Sequence, residues 1–253
     1  MSEKPVPDES FGLMSDQPVV RKVYPDYAPF LSEFLGTFLL CFTVAMTAGV
    51  DDTGASVSSL APIAIGSSLM CSIFMGGHIS GAHHNPAVTL AVFLADKQKD
   101  GMYGQGKAVC AVGYVIAQLA ASCFAGGIAY GICDDLGYSM GKPEVSGKAS
   151  DGSAFFVELI VTFYLVMVVL NVACTKANDG NSFYGLAIGF LVTVGACATG
   201  YVSGGAFNPA VGTGLPLMSG DEGAMGDIWI YWLGPCIGAA MGAGAYLATV
   251  QEK

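Results

Sequence analysis

Charged side chains are scarce in this sequence. Only 12% of its 253 residues are aspartate, glutamate, lysine or arginine, whereas soluble domains carry about 25%. Arg21 is the one arginine, so the basic patch that nucleic-acid binding requires is missing and we expect no nucleic-acid partner. With 53% hydrophobic residues and 35 glycines, the composition is typical of an integral membrane protein.

Patterns of catalytic and metal-binding residues are also missing. The sequence shows no nucleophile–base pair, metal-ligand spacing or phosphate-binding loop, so we predict neither an enzyme nor a bound metal or cofactor. Of eight cysteines, seven fall in or beside apolar segments and should pack as small apolar residues, while Cys133 is expected in an exposed loop. Residues 1–27 are polar and contain prolines, which predicts a disordered tail without a cleavable signal peptide.

Six apolar segments are long enough to cross a bilayer, which takes about 20 residues. They lie at about 30–50, 58–77, 108–131, 153–174, 182–200 and 227–249. Most loop lysines fall on one side of these spans, and only Lys142 and Lys148 lie opposite. The positive-inside rule therefore predicts a multi-pass protein with both termini in the cytoplasm. Whether the membrane is the plasma membrane or an internal one stays open.

One short polar motif occurs twice, half the chain apart, as Asn85-Pro86-Ala87 and as Asn208-Pro209-Ala210. Asparagine is a preferred N-cap and proline suits the first helical position, so each motif predicts the start of a helix. The apolar stretches that follow, about 86–95 and 209–218, would rise about 15 Å, half of a hydrocarbon core about 30 Å thick. We therefore predict two re-entrant half-helices that begin near the membrane midplane.

Each motif follows a glycine-rich segment, 76–84 or 200–207, and each half has a lone acid in its first span, Glu33 or Glu158. Non-helical backbone at membrane depth is tolerated only where protein or water satisfies it, so these segments predict a water-lined path. An intramembrane acid is a functional candidate by default. Because the two acids are symmetric, we favour structural acceptors for loop N–H groups over a proton relay. Each half has three spans, and because three is an odd number, the second half starts on the opposite side of the membrane and is inverted relative to the first.

These features resemble the major intrinsic proteins, the aquaporin and aquaglyceroporin family, over about residues 28–250. The segment Gly77–Thr89 nearly matches the family's first signature, with His84 where an apolar residue is usual, and Gly204–Ala210 matches the second. The resemblance implies an all-α, right-handed bundle in one channel domain, which assembles as a homotetramer with one pore per subunit. Its inverted repeats would cover about 28–131 and 152–250.

The resemblance also implies how the pore is lined. Asn85 and Asn208 would point amide donors into the lumen, where two half-helix N-termini converge with about half a positive charge each and repel cations. Backbone carbonyls would supply acceptors, namely those of Gly81, Ala82, His83, His84, Gly204, Gly205, Ala206 and Phe207. His78 and His83 fit the signature as structural or lining residues. His84, beside the Asn85 cap at the cytoplasmic vestibule, is a candidate pH gate or a passive lining residue.

The outer constriction departs from the family pattern. The resemblance implies four filter positions, which are Ile65, Ala196, Gly205 and Val211. Most members have arginine where this chain has Val211, so we predict a wider and more apolar constriction. Two markers favour water, since Gly212 replaces the acid of glycerol-conducting members and Tyr231-Trp232 resembles the aromatic pair of water-type members.

The sequence therefore predicts a passive channel in the lipid bilayer for water and also for small neutral solutes. The nearest alternative is an aquaglyceroporin-like facilitator, mainly for glycerol, urea, ammonia or hydrogen peroxide. Two more distant hypotheses are a secondary transporter built from inverted repeats and a non-conducting junction or scaffold member of the same family.

Overall fold

Helices make up the fold throughout the described part of the chain, which in this computed structural model is residues 24–97, 107–221 and 223–250. The α-helices are α1 (Ala28–Thr47), α2 (Ala61–Gly76), α3 (Pro86–Leu94), α4 (Lys107–Leu136), α5 (Asp151–Ala173), α6 (Tyr184–Ser203), α7 (Val211–Met218) and α8 (Ile228–Thr249). A short 3₁₀ helix, Lys176–Asn178, lies between α5 and α6. Most of the predicted disordered tail, residues 1–23, lies outside the described residues.

Five of the helices, α1, α4, α5, α6 and α8, are long and apolar enough to cross a membrane. The remaining predicted span, 58–77, corresponds to the apolar helix α2, whose 16 residues rise only about 24 Å. Large apolar side chains such as Leu35, Ile116 and Phe156 are exposed along the spans, as expected where lipid surrounds the protein. The predicted all-α membrane fold is confirmed.

The third span is longer than predicted. Helix α4 continues to Leu136, because Asp134 and Asp135 remain exposed in its last turn and do not end the helix. The prediction that Cys133 lies in an exposed loop is therefore wrong. Its side chain is buried within α4, where Sγ lies 3.9 Å from Met46 Sδ.

The two half-helices are present as separate short elements. Helix α3 begins at Pro86, as predicted, with Asn85 as its N-cap. Helix α7 begins at Val211, two residues later than predicted, because Pro209 and Ala210 form a turn. The carbonyl of Asn208 nevertheless accepts the Gly212 N–H at 3.0 Å, so the second motif also leads directly into helical hydrogen bonding.

Helix packing follows an inverted two-fold pattern. Helix α1 packs mainly on α4, α5 on α8, and α2 on α6, while α3 packs on α8 and α7 on α4. Each half-helix thus rests against the last span of the opposite half. Helices α2 and α6 approach closely at Gly66 and Gly189, where a Cβ on either would overlap the carbonyl oxygen of the other.

The connecting segments gather at two opposite ends of the bundle. We call one end the Lys97 face, formed by residues 24–27, 95–97 and 174–183, and the other the Lys142 face, formed by residues 48–60, 137–150 and 219–221. Among the described lysines, Lys97, Lys107 and Lys176 belong to the first face, and Lys142 and Lys148 to the second. The half-helices start between these faces and run outward, α3 to the Lys97 face and α7 to the Lys142 face.

Candidate functional site

The two Asn-Pro-Ala motifs meet inside the bundle through reciprocal hydrogen bonds. Asn85 Nδ2 donates to the Phe207 carbonyl at 2.8 Å, and Asn208 Nδ2 donates to the His84 carbonyl at 2.9 Å. Each Oδ1 accepts the N–H of the alanine two residues later. In the first motif this bond caps the start of α3, and in the second it closes the turn that precedes α7. Since an amide nitrogen carries two hydrogens, these bonds leave a second donor on each asparagine.

The re-entrant loop before α3 is held by Glu33 of α1, which is fully buried. Its Oε1 accepts from the Ser80 hydroxyl at 2.7 Å and the His83 N–H at 2.9 Å. Its Oε2 accepts from the His84 N–H at 2.6 Å and from Gln118 Nε2 at 2.8 Å. A buried carboxylate is tolerated when its lone pairs are filled in this way, and the loop N–H groups gain the acceptor that a helix would otherwise supply.

The loop before α7 is held in the same manner by Glu158 of α5, also fully buried. Its Oε1 accepts from the Ser203 hydroxyl at 2.7 Å and the Ala206 N–H at 2.9 Å, and its Oε2 accepts from the Phe207 N–H at 2.6 Å. The Tyr231 hydroxyl donates to the Ser203 carbonyl at 2.8 Å. Both intramembrane acids therefore contact re-entrant backbone.

A cavity of about 340 Å³ runs along both motifs. At the Lys97 face it is lined by Lys97, Lys107 and residues 178–181, in its middle by Asn85 and Asn208, and at its far end by Ile65, Gly205 and Val211. Seven of the eight residues expected to present carbonyls line it, namely Gly81, Ala82, His83, His84, Gly205, Ala206 and Phe207. Within the described chain, Ala196 and Gly204 do not contribute to its lining.

Two inverted half-helices meet at paired Asn-Pro-Ala motifs beside a cavity. The protein family that the sequence matches agrees with this arrangement. The family model described as Major intrinsic protein matches residues 21–246. The chain is a major intrinsic protein. Members of this family are channels and not enzymes, and this chain is a multi-pass membrane channel for water, small solutes or both.

Relatives within the family include proteins named as glycerol uptake facilitators and proteins named as aquaporins. The chain is 36% identical over 218 residues to glycerol uptake facilitator protein-like 6 of Lactiplantibacillus plantarum, covering 85% of this chain and 94% of that protein. It is also 36% identical over 225 residues to aquaporin NIP1-1 of Arabidopsis thaliana, covering 85% and 71%. Its fold matches the aquaglyceroporin of Plasmodium falciparum with a TM-score of 0.74 at 23% identity, covering 88% and 96%.

The imidazole of His84 does not lie in the vestibule where the sequence interpretation placed it. The ring is fully buried, because the absence of a side chain at Gly36 leaves room for it inside the bundle. Its Nδ1 lies 3.5 Å from Glu33 Oε2 and its Nε2 lies 3.4 Å from the Ser72 carbonyl. This position argues against a pH gate that samples cavity water, and it leaves the backbone carbonyl as the part of His84 that meets the other motif.

The other two histidines line the cavity near the Lys97 face. His83 Nδ1 lies 3.1 Å from Thr89 Oγ1, and its ring packs edge-on against Tyr114. The ring of His78 lies 5.9 Å from that of Tyr24. Both residues are therefore held by neighbours while facing the cavity.

The two subclass markers are packed together. A Cβ on Gly212 would overlap the Cβ of Tyr231, so an acid could not occupy position 212 without moving α8. The indole N–H of Trp232 donates to Thr213 Oγ1 at 2.9 Å. The pair therefore stabilises the start of α7 without lining the cavity.

Sequence reasoning missed Gln118, which donates to Glu33 and to Thr89 Oγ1. The signal was available, since a lone amide in the apolar segment 108–131 is costly in a membrane and marks a functional or structural contact. Tyr114, whose hydroxyl donates to the Ser80 carbonyl at 2.7 Å, carried no comparable signal because tyrosine is common near membrane interfaces.

Proposed function

We propose that this major intrinsic protein conducts water and also admits small neutral solutes. The observation that carries this proposal is the far end of the cavity, where Ile65, Gly205 and Val211 provide neither charge nor aromatic ring. Among the described residues, the charged ones that line the cavity are Lys97, Lys107 and Asp179, all at the Lys97 face. A constriction without arginine has no fixed donor fork to narrow it or to bind water selectively.

The two motifs would act as the central barrier to ions. The free N–H of Asn85 and of Asn208 would donate to the oxygen of a passing molecule, while the carbonyls of the re-entrant loops accept its hydrogens. The N-termini of α3 and α7 add positive potential at the same level. Cations and protons are therefore repelled while a neutral molecule exchanges hydrogen bonds with the wall.

We further propose that the Lys97 face is cytoplasmic, because it carries more of the described lysines than the Lys142 face. Both termini would then lie in the cytoplasm. The family resemblance supports a homotetramer with one pore per subunit, in which part of the exposed apolar surface is covered by neighbouring copies. Labelling of single-cysteine variants from each side of sealed vesicles tests the orientation, and chemical cross-linking in native membranes tests the tetramer.

The permeant is tested by Val211→Arg in proteoliposomes, with swelling followed in parallel in sucrose, glycerol and urea gradients. An arginine here would narrow the constriction and add fixed donors, so glycerol and urea permeability should fall about tenfold more than water permeability, a difference of about 1.4 kcal/mol in barrier height. Val211→Leu is the matched control, since it adds bulk without charge and should change the solute-to-water ratio much less.

The same assay separates the remaining hypotheses. Glycerol flux that far exceeds water flux in the unchanged protein would favour the facilitator, a reading supported by the relative named for glycerol uptake. Saturable uptake coupled to an ion gradient would indicate a secondary transporter, and permeability equal to that of empty liposomes would indicate a scaffold. Equal loss of water and solute flux in assembled Val211→Arg protein would overturn the constriction argument.

A further inference from the structure

The loop between α4 and α5 crosses the Lys142 face and is fixed at both ends by backbone hydrogen bonds. We call residues 139–146 the crossing loop. Gly141 N–H donates to the Ala45 carbonyl of α1 at 2.8 Å, and Ser146 N–H donates to the Val202 carbonyl of α6 at 3.0 Å. The crossing loop thus runs from the end of α1 to the end of α6.

Lys142 lies at the centre of this loop in a three-residue ion pair. Its Nζ lies 2.6 Å from Glu144 Oε2, within the loop, and 3.2 Å from Asp221 Oδ2, just beyond α7. The lysine side chain is only 12% exposed, whereas those of Glu144 and Asp221 are 68% and 49% exposed. A shielded ammonium is less screened by salt than a fully exposed one, so salt should weaken this cluster less than it weakens a fully exposed ion pair.

The elements that Lys142 joins are the ones that carry the proposed constriction. A Cβ on Gly204 would overlap the backbone nitrogen of Glu144, so the crossing loop packs directly on the residue before Gly205. Asp221 follows α7, which begins at Val211. Gly205 and Val211 therefore lie on two segments that Lys142 ties to one another at the Lys142 face.

We propose that Lys142 is a positioning residue, which fixes the separation of Gly205 and Val211 by tying the crossing loop to the end of α7. Its ion pairs thereby set the largest solute that passes. This inference rests on the proposed function, because the constriction at Gly205 and Val211 is itself proposed.

The charges needed for this link are present over a wide pH range. Burial opposes the charge of Lys142, but Glu144 and Asp221 outweigh it and raise the pKa of the ammonium. The Gly223 N–H and then Lys142 lower the pKa of the Asp221 carboxyl. Lys142 and Asp221 are therefore both ionised at neutral pH.

The inference is tested by Lys142→Met in proteoliposomes, with the glycerol-to-water permeability ratio as the readout. Loss of a partly exposed ion pair should loosen the crossing loop and raise this ratio about twofold to fivefold. Lys142→Arg keeps the charge and should retain the original ratio. The matched control is Lys148→Met, because Lys148 is an exposed lysine of the same connection between α4 and α5.

A double-mutant cycle with Asp221→Asn identifies the link. If Lys142 acts through Asp221, Asp221→Asn alone should also raise the ratio, and adding it to Lys142→Met should raise it no further. Hydrogen exchange gives an independent readout, since the Ser146 N–H that bonds to Val202 should exchange faster in both single variants, with the thermal midpoint and assembly unchanged.

An unchanged ratio with unchanged exchange at Ser146, or equal changes in Lys142→Met and Lys148→Met, would overturn the inference. If Lys142→Met does not assemble, Asp221→Asn alone decides, because it removes the same link from a more exposed position. Val211→Arg separates the two proposals. If Val211→Arg changes the glycerol-to-water permeability ratio as expected and Lys142→Met does not, only the positioning role is refuted. If neither variant changes this ratio, the proposed constriction is refuted.

Discussion

The two halves of this channel hold their re-entrant loops with the same backbone geometry but different surroundings. His84 and Phe207, each just before a motif, have the same positive φ of 48°, and each N–H donates to a buried glutamate. The residue in this position is a polar histidine in the first half and an apolar phenylalanine in the second. The loop conformation therefore depends on the buried carboxylate and the backbone, while the ring before the asparagine can differ.

Each half makes room for that ring at a different place. In the first half, the absence of a side chain at Gly36 of α1 accommodates the His84 imidazole. In the second half the position three residues after the glutamate is Val161, and the space is provided by Gly195 of α6, where a Cβ would contact both Val161 and the Phe207 ring. The glycine that makes room for the ring therefore lies in the first span of the first half and in the second span of the second half.

The largest effect that tests this comparison is expected from the glutamates. Glu33→Ala leaves four donors without their acceptor and Glu158→Ala leaves three. Since each unsatisfied buried donor costs about 1–3 kcal/mol, both variants should be severely destabilised, and Glu33→Ala by about 1–3 kcal/mol more. Thermal unfolding of the detergent-solubilised protein measures both. Asp52→Ala is the control, because Asp52 is an exposed acid in the connection between α1 and α2. Equal losses for the two buried acids would show that Gln118 adds nothing.

A smaller effect is expected at the glycine that makes room for the histidine. A Cβ on Gly36 would overlap the imidazole of His84, so Gly36→Ala should cost about 1–3 kcal/mol of unfolding free energy through overpacking. Removing the imidazole in the same chain should recover part of that loss, so the double variant is Gly36→Ala with His84→Ala. Gly131→Ala in α4 is the control, because no atom lies within 4 Å of its added Cβ. Additive losses in the double variant would contradict the packing.

Hydropathy and capping residues were enough to predict most of the fold. The apolar lengths located the spans, and the Asn-Pro pairs located both half-helix starts to within two residues. The errors are at helix ends, where the third span was predicted to end near residue 131 although α4 continues to Leu136, with Asp134 and Asp135 exposed in its last turn. Such ends depend on where solvent begins, which no local pattern records.

The site was predictable only as far as its residues follow a repeated motif. The bonds from Asn85 to Phe207 and from Asn208 to His84 join residues of opposite halves, so no local spacing shows them. The burial of the His84 ring depends on Gly36, in another helix. The resemblance supplied Ala196 as a filter position, yet Ala196 does not line the cavity in the described chain.

The smallest effect concerns the aspartates that follow the two half-helices. Asp96 follows α3 and pairs with Lys107 at 2.6 Å, as Asp221 follows α7 and pairs with Lys142. Lys107 lowers the pKa of Asp96, and the Gly223 N–H together with Lys142 lowers that of Asp221. A lowered carboxyl pKa means that the folded protein stabilises the ionised form. The contribution of each aspartate to the stability of the fold is therefore complete above the ordinary aspartate value of about 3.9, and it is lost as pH falls through the lower folded-state value.

The glycerol-to-water permeability ratio should therefore stay constant between about pH 5 and pH 8. It should rise toward the ratio of Asp221→Asn only as the pH falls through the folded-state pKa of Asp221, which lies below the ordinary aspartate value, because protonated Asp221 no longer holds Lys142. Asp96→Asn should follow the unchanged protein at every pH, since the Asp96 side chain is 79% exposed and lies at the face opposite the proposed constriction. Stopped-flow swelling at stepped pH measures all three, and an equal acid response in Asp221→Asn would show that the response arises at another carboxyl group.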